Sequence, residues 1–68
     1  MNTAFLIARK QVGLTQDQLE DRTKVTQSDI SRIELRGWTP PPDVSQRLAE
    51  ALGVEVDTLF PLAQDRAS

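Results

Sequence analysis

The sequence predicts an all-α chain of five short helices, and three observations predict it. Residues that stop helices recur at short intervals: Gly13, Gly37, Gly53 and Pro61. Residues that start them recur as well, with Thr15 and Thr26 each placed just ahead of a helical pattern. No stretch shows the strict apolar–polar alternation of a strand. At 68 residues the chain makes one domain at most, near the size where burial alone gives marginal stability.

The first helix is predicted over Thr3–Val12, where Phe5, Ala8, Arg9 and Val12 follow the i, i+3, i+4, i+7 spacing of one face. Gly13 ends it, because glycine takes the left-handed backbone without penalty. Thr15 opens the second helix, with Gln18 three residues on, the spacing of a capping box. Leu19 points inward, and Lys24 and Val25 form a tight turn. Thr26 opens the third helix in the same way, with Asp29 as its capping partner rather than a cytosine reader. Ile30 and Ile33 make the inward stripe, Glu34 lies beside them, and Gly37 ends the helix. Residues 38–42 must be loop, since Pro40, Pro41 and Pro42 do not fit a helix interior or a paired strand. Asp43 starts the fourth helix, with Val44, Leu48, Ala49 and Leu52 inward, and Gly53 stops it. A short fifth helix spans 56–60. Residues 1–61 thus form the domain, and 62–68 are expected to be a disordered tail.

Composition narrows the function. The chain has no Cys and no His. That removes disulfides, thiol chemistry, a Cys/His zinc site and a histidine base. No nucleophile–base pair or metal cluster stands out, so an enzyme is not expected, nor is a cofactor or a small-molecule ligand. No apolar run approaches the ~20 residues that span a bilayer, and there is no secretory signal, so an intracellular protein without membrane contact is expected. The net charge of −2 argues against nucleic acid, but its distribution softens the objection. Residues 1–36 sum to +1 and residues 37–68 to −3.

The informative unit is residues 15–23 followed by 26–36. Two capped helices are separated by a turn too short for antiparallel packing, so they must cross steeply. That is the geometry of a helix-turn-helix, whose second helix enters the major groove of DNA. The third helix divides suitably. Ile30, Ile33 and Glu34 point one way; Gln27, Ser28, Ser31 and Arg32 point the other. Gln can bond adenine bidentately, Arg can bond guanine bidentately, and Ser is permissive. On these residues alone an ordinary solvated face is an equal reading.

The run Gly13-Leu14-Thr15-Gln16-x-x-Leu19, then Val25-Thr26-Gln27-Ser28-x-Ile30-Ser31-x-Ile33-Glu34, then Pro40 and Leu48-Ala49-x-Ala51-Leu52-Gly53-Val54, resembles the phage Cro and repressor-type (XRE-like) helix-turn-helix family. The resemblance covers roughly residues 3–60. It implies a lambda-repressor-like domain and a sequence-specific DNA-binding transcriptional regulator, a repressor, that is cytoplasmic and bacterial or phage-encoded. It implies Gln27, Ser28, Ser31 and Arg32 as base readers. Gln16, Thr26, Lys24, Arg36 and Thr39 fall at or near phosphate, with solvated surface an equal reading for Arg36 and Thr39. Arg9 and Glu34 match a partly buried salt bridge between the first and third helices. A homodimer on double-stranded DNA is implied, with Leu6, Ile7, Val56, Leu59 and Phe60 as candidates for a dimer or partner surface, while the fifth helix is also read as half core.

The chain departs from the family pattern at three places. Glu20 stands where a small residue is usual, so it must reach outward past the third helix or open the crossing. Lys24 stands where Gly is usual, and a left-handed backbone there costs roughly 1 kcal/mol. Gly37 falls one residue late, which lengthens the third helix. Trp38 either packs on Leu35 and the prolines or lies against a DNA sugar–phosphate edge, with packing favoured. Two rivals remain: a restriction-modification controller or antitoxin-type autoregulator, and a protein-interaction module on the same scaffold without DNA binding. The acidic balance, Glu20 and the apolar pair Leu6-Ile7 support the second.

Overall fold

Local start and stop signals set the element boundaries. A computed structural model describes residues 1–61, in which five helices follow one another: α1 Thr3–Val12, α2 Gln16–Thr23, α3 Gln27–Arg36, α4 Pro42–Leu52 and α5 Val56–Leu59. Thr15 closes a full capping box with Gln18, so both side chains occupy backbone N–H groups that the helix leaves free. Asn2 caps α1 through its side-chain oxygen, which accepts from the Phe5 N–H at 3.0 Å. Gly13, Gly37 and Gly53 all sit in the left-handed region after a helix. The expected tail, 62–68, lies outside the described residues. Among the described residues no helix is long and apolar enough to cross a membrane.

Helix α4 starts one residue earlier than expected, at Pro42. Proline suits the first helical position because its missing N–H would have no partner there and its φ is already helical. The buried Ser45 hydroxyl donates to the Pro40 carbonyl at 3.2 Å and so ties the proline loop to α4.

The core lies between α1, α3, α4 and α5, with α2 closing it against α3 and α4. Phe5, Leu19, Ile30, Ile33, Leu48 and Leu59 are its largest fully buried side chains. Each contributes about 1.5–3 kcal/mol relative to an exposed position. The structure corrects two points. Val12 shares the spacing of the inward face of α1 but is 46% exposed. The chain turns back at Gly13, and Leu14 takes the buried place instead. Leu59 and Phe60, expected on a dimer or partner surface, are sealed in their own subunit at 0% and 3% exposure. Phe60 packs on Phe5, with ring centroids 6.1 Å apart. A five-helix body this small needs its last apolar residues to close the core under α1. Val56 is half-buried against that same core.

Candidate nucleic-acid interface

Three residues build the bend between α2 and α3. Thr23 is buried; its hydroxyl donates to the Leu19 carbonyl and accepts from the Val25 N–H, at 2.8 and 3.2 Å. Lys24 follows at φ 64°, in the left-handed backbone that the family's usual Gly at this turn implies. Val25 is buried and anchors the turn. Thr26 then caps α3 by accepting from the Asp29 N–H at 3.2 Å.

Helix α3 is divided along its length. Ile30, Ile33 and Glu34 are buried. Gln27, Ser28, Arg32, Leu35 and Arg36 are exposed, with Asp29 and Ser31 between. Of the candidate base readers, Gln27, Ser28 and Arg32 thus stand on the open side, and Ser31 is half-covered. Lys24, Thr26, Arg36 and Thr39 are exposed around them, and Gln16 is half-buried.

Below this surface a polar seam fixes how α3 sits on α1 and α2. The Arg9 Nε and Nη2 donate to the two oxygens of Glu34 at 2.6 and 3.1 Å. Its Nη1 donates to the Leu14 carbonyl at 2.8 Å. The pair is largely removed from water, with side-chain exposures of 12% and 6%. Gln16 Nε2 donates to Glu34 at 3.1 Å, and Gln16 Oε1 accepts from Gln27 Nε2 at 3.3 Å. A chain of contacts therefore runs from the buried ion pair to the first exposed residue of α3. Among the described residues no buried side-chain nitrogen or oxygen lacks a partner.

Glu20 reaches the start of α3, where its carboxylate accepts from the Gln27 N–H at 3.1 Å. A carboxylate is favoured there by the free N–H groups and the positive end of the helix dipole. The large side chain at the crossing is accommodated as a second cap.

Asp29 departs from the expected capping box. Its backbone N–H is capped by Thr26, but its carboxylate lies 3.5 Å from Arg32 Nη1 instead of reaching back. The box requires the longer Glu or Gln. Trp38 is half-buried and packs against the core. The Trp38 ring carries the Arg32 guanidinium, 4.2 Å from its centroid. Sequence reasoning missed this contact, since nothing local to position 38 points to a partner at position 32.

Two capped helices joined by a left-handed turn, the second with one buried and one open polar face, define a helix-turn-helix protein. The helix-turn-helix family matches residues 6–59, and the chain belongs to that family. It is 37% identical to an uncharacterized HTH-type transcriptional regulator of Methanothermobacter thermautotrophicus, over 98% of this chain and 99% of that protein. No solved structure matches the chain significantly. Membership identifies the chain as DNA-binding, in a family of transcription regulators that are normally not enzymes. Among the described residues there is no group of three His, Cys, Asp or Glu placed to hold a metal ion.

Proposed function

We propose that this protein is a sequence-specific, cytoplasmic transcriptional repressor that lays α3 into the major groove of double-stranded DNA. One observation carries the reading: Gln27, Ser28 and Arg32 stand exposed on a helix whose opposite side, Ile30 and Ile33, is fully buried. The buried side supplies rigidity and the open side supplies donors and acceptors for base edges. Gln16, Lys24, Thr26, Arg36 and Thr39 surround that face and are assigned to phosphates. The protein acts as a two-fold dimer whose half-sites lie about one turn (~34 Å) apart. With Leu59 and Phe60 inside the subunit, the dimer candidates are Leu6, Ile7 and Val56. Control then rests on occupying a promoter, including the protein's own in the manner of an antitoxin-type or restriction-modification autoregulator.

Selection of bound duplexes from a random pool tests binding, half-site spacing and symmetry together. The expected outcome is an enriched palindrome, with affinity that falls steeply as salt rises. A second reading, a protein-interaction module without DNA binding, is favoured by Ile7, which is 50% exposed, and by the carboxylates Asp17, Glu20 and Asp21 grouped on α2. Failure to retain any duplex at low salt decides for that reading.

A further inference from the structure

The open side of α3 holds one arginine that is restrained from two directions. The Cζ of Arg32 lies 4.2 Å from the centroid of the Trp38 ring. Its Nη1 lies 3.5 Å from Oδ1 of Asp29. The ring is itself fixed. Gly37, at φ 69°, turns the chain back, and the Trp38 N–H reaches the Arg32 carbonyl at 3.4 Å. Trp38 is half-buried and packs against the core, so it is a platform that does not follow Arg32 about.

We propose that Trp38 is a specificity-determining residue: its ring holds the Arg32 guanidinium in one orientation and so sets the preference for guanine at the base pair Arg32 meets. The inference rests on the DNA-binding reading above. A guanidinium presents five N–H donors in its plane and a π face above it. Stacking on indole, the best of the aromatic faces for a cation, occupies the π face and leaves in-plane donors free. Two of those suit the O6 and N7 acceptors of guanine. An unsupported arginine would have to lose its rotamer freedom at the moment of binding. Here much of that loss precedes binding, which favours the one base that accepts the fixed fork. Asp29 limits sliding of the guanidinium along the ring through its long contact to one edge.

The test compares duplexes selected from a random pool by the unchanged protein and by Arg32→Ala, Trp38→Phe, Trp38→Leu and the Arg32→Ala/Trp38→Leu double variant. Folding of each is checked by circular dichroism and thermal melting. Guanine should be preferred at one position of each half-site and lost in Arg32→Ala. Trp38→Leu keeps apolar bulk but not the ring, and should weaken that preference about fivefold while leaving other positions alone. Trp38→Phe should retain most of it. Trp38→Leu should add nothing once Arg32 is gone. The proposal is overturned if Trp38→Leu keeps the guanine preference, or weakens every position alike. If the unchanged protein enriches no duplex, the DNA-binding reading falls and the proposal with it. If it enriches a site and Trp38→Leu selects the same one, only the proposal falls. Should Trp38→Leu not fold, Trp38→Phe and intrinsic fluorescence decide. Trp38 is the one tryptophan in the chain, so Arg32→Ala must shift its emission. Unchanged emission removes the contact and overturns the proposal.

Discussion

Helix α3 takes part in two arginine–carboxylate contacts, on opposite sides. Inward, Glu34 receives Arg9 through two hydrogen bonds, with exposures of 6% and 12%. Outward, Arg32 stands 3.5 Å from Asp29, with exposures of 51% and 38%. The charges are the same, and burial separates their roles. Around Glu34 each oxygen is committed: one to Arg9, the other to Arg9 and Gln16. Such a pair locks α1, α2 and α3 in register, and either partner alone would be a buried, unmatched charge. Around Arg32 water competes for the donors, so the Asp29 contact is weak and easily given up. One helix thus uses the same chemistry to hold itself in place and to remain available.

The largest test of that contrast is removal of the inner pair one partner at a time. Arg9→Ala or Glu34→Ala is expected to cost about 3–5 kcal/mol of stability, measured by urea unfolding. A loss below ~1 kcal/mol would place the inner pair in the same class as the outer one. Next in size is Arg32→Ala, which should leave the unfolding midpoint nearly unchanged and weaken specific DNA binding by ~1–3 kcal/mol, with relaxed preference at one base pair. Unaltered affinity and preference would strike Arg32 from the reading set. Smaller again is Lys24→Gly at the left-handed turn, which should raise stability by roughly 1 kcal/mol at most, because glycine is unstrained at φ 64° but gains freedom when unfolded. A fall in the melting temperature would mean that the turn is not strained. The smallest is Asp29→Asn. The Thr26 cap uses only the backbone of residue 29, so stability should shift by less than ~0.5 kcal/mol. A larger loss would show that the outer contact supports the helix.

Much of the fold was legible because helix boundaries are written locally. Gly13, Thr15, Thr26 and Gly37 act within one turn of themselves, and α1 and α3 lie where those residues put them. The division of α3 was legible for the same reason, from its own periodicity. What could not be read lies in contacts between elements. Glu20 and Gln27 are seven residues apart across a bend, and their bond depends on how steeply two helices cross. Spacing leaves Leu59 and Phe60 open to core or partner surface, and only the fold of α5 under Phe5 decides for core. Val12 fits the apolar stripe of α1 by spacing, yet it stands 46% exposed where the chain turns at Gly13. Trp38 offered both packing and exposure, and only the reversal at Gly37 shows that its ring meets Arg32. Local rules therefore gave the parts, and the functional surface was fixed by distances that spacing alone does not contain.

Asn2 joins regions that are far apart in the chain. Its Oδ1 caps α1, its Nδ2 donates to the Leu59 carbonyl at 2.8 Å, and its backbone N–H donates to the Glu34 carbonyl at 3.1 Å. One residue thereby ties the opening of the first helix to the close of the fifth and to α3. Opening at either end should propagate to the other, so the Phe5 and Phe60 amides should exchange with solvent as a single cooperative unit.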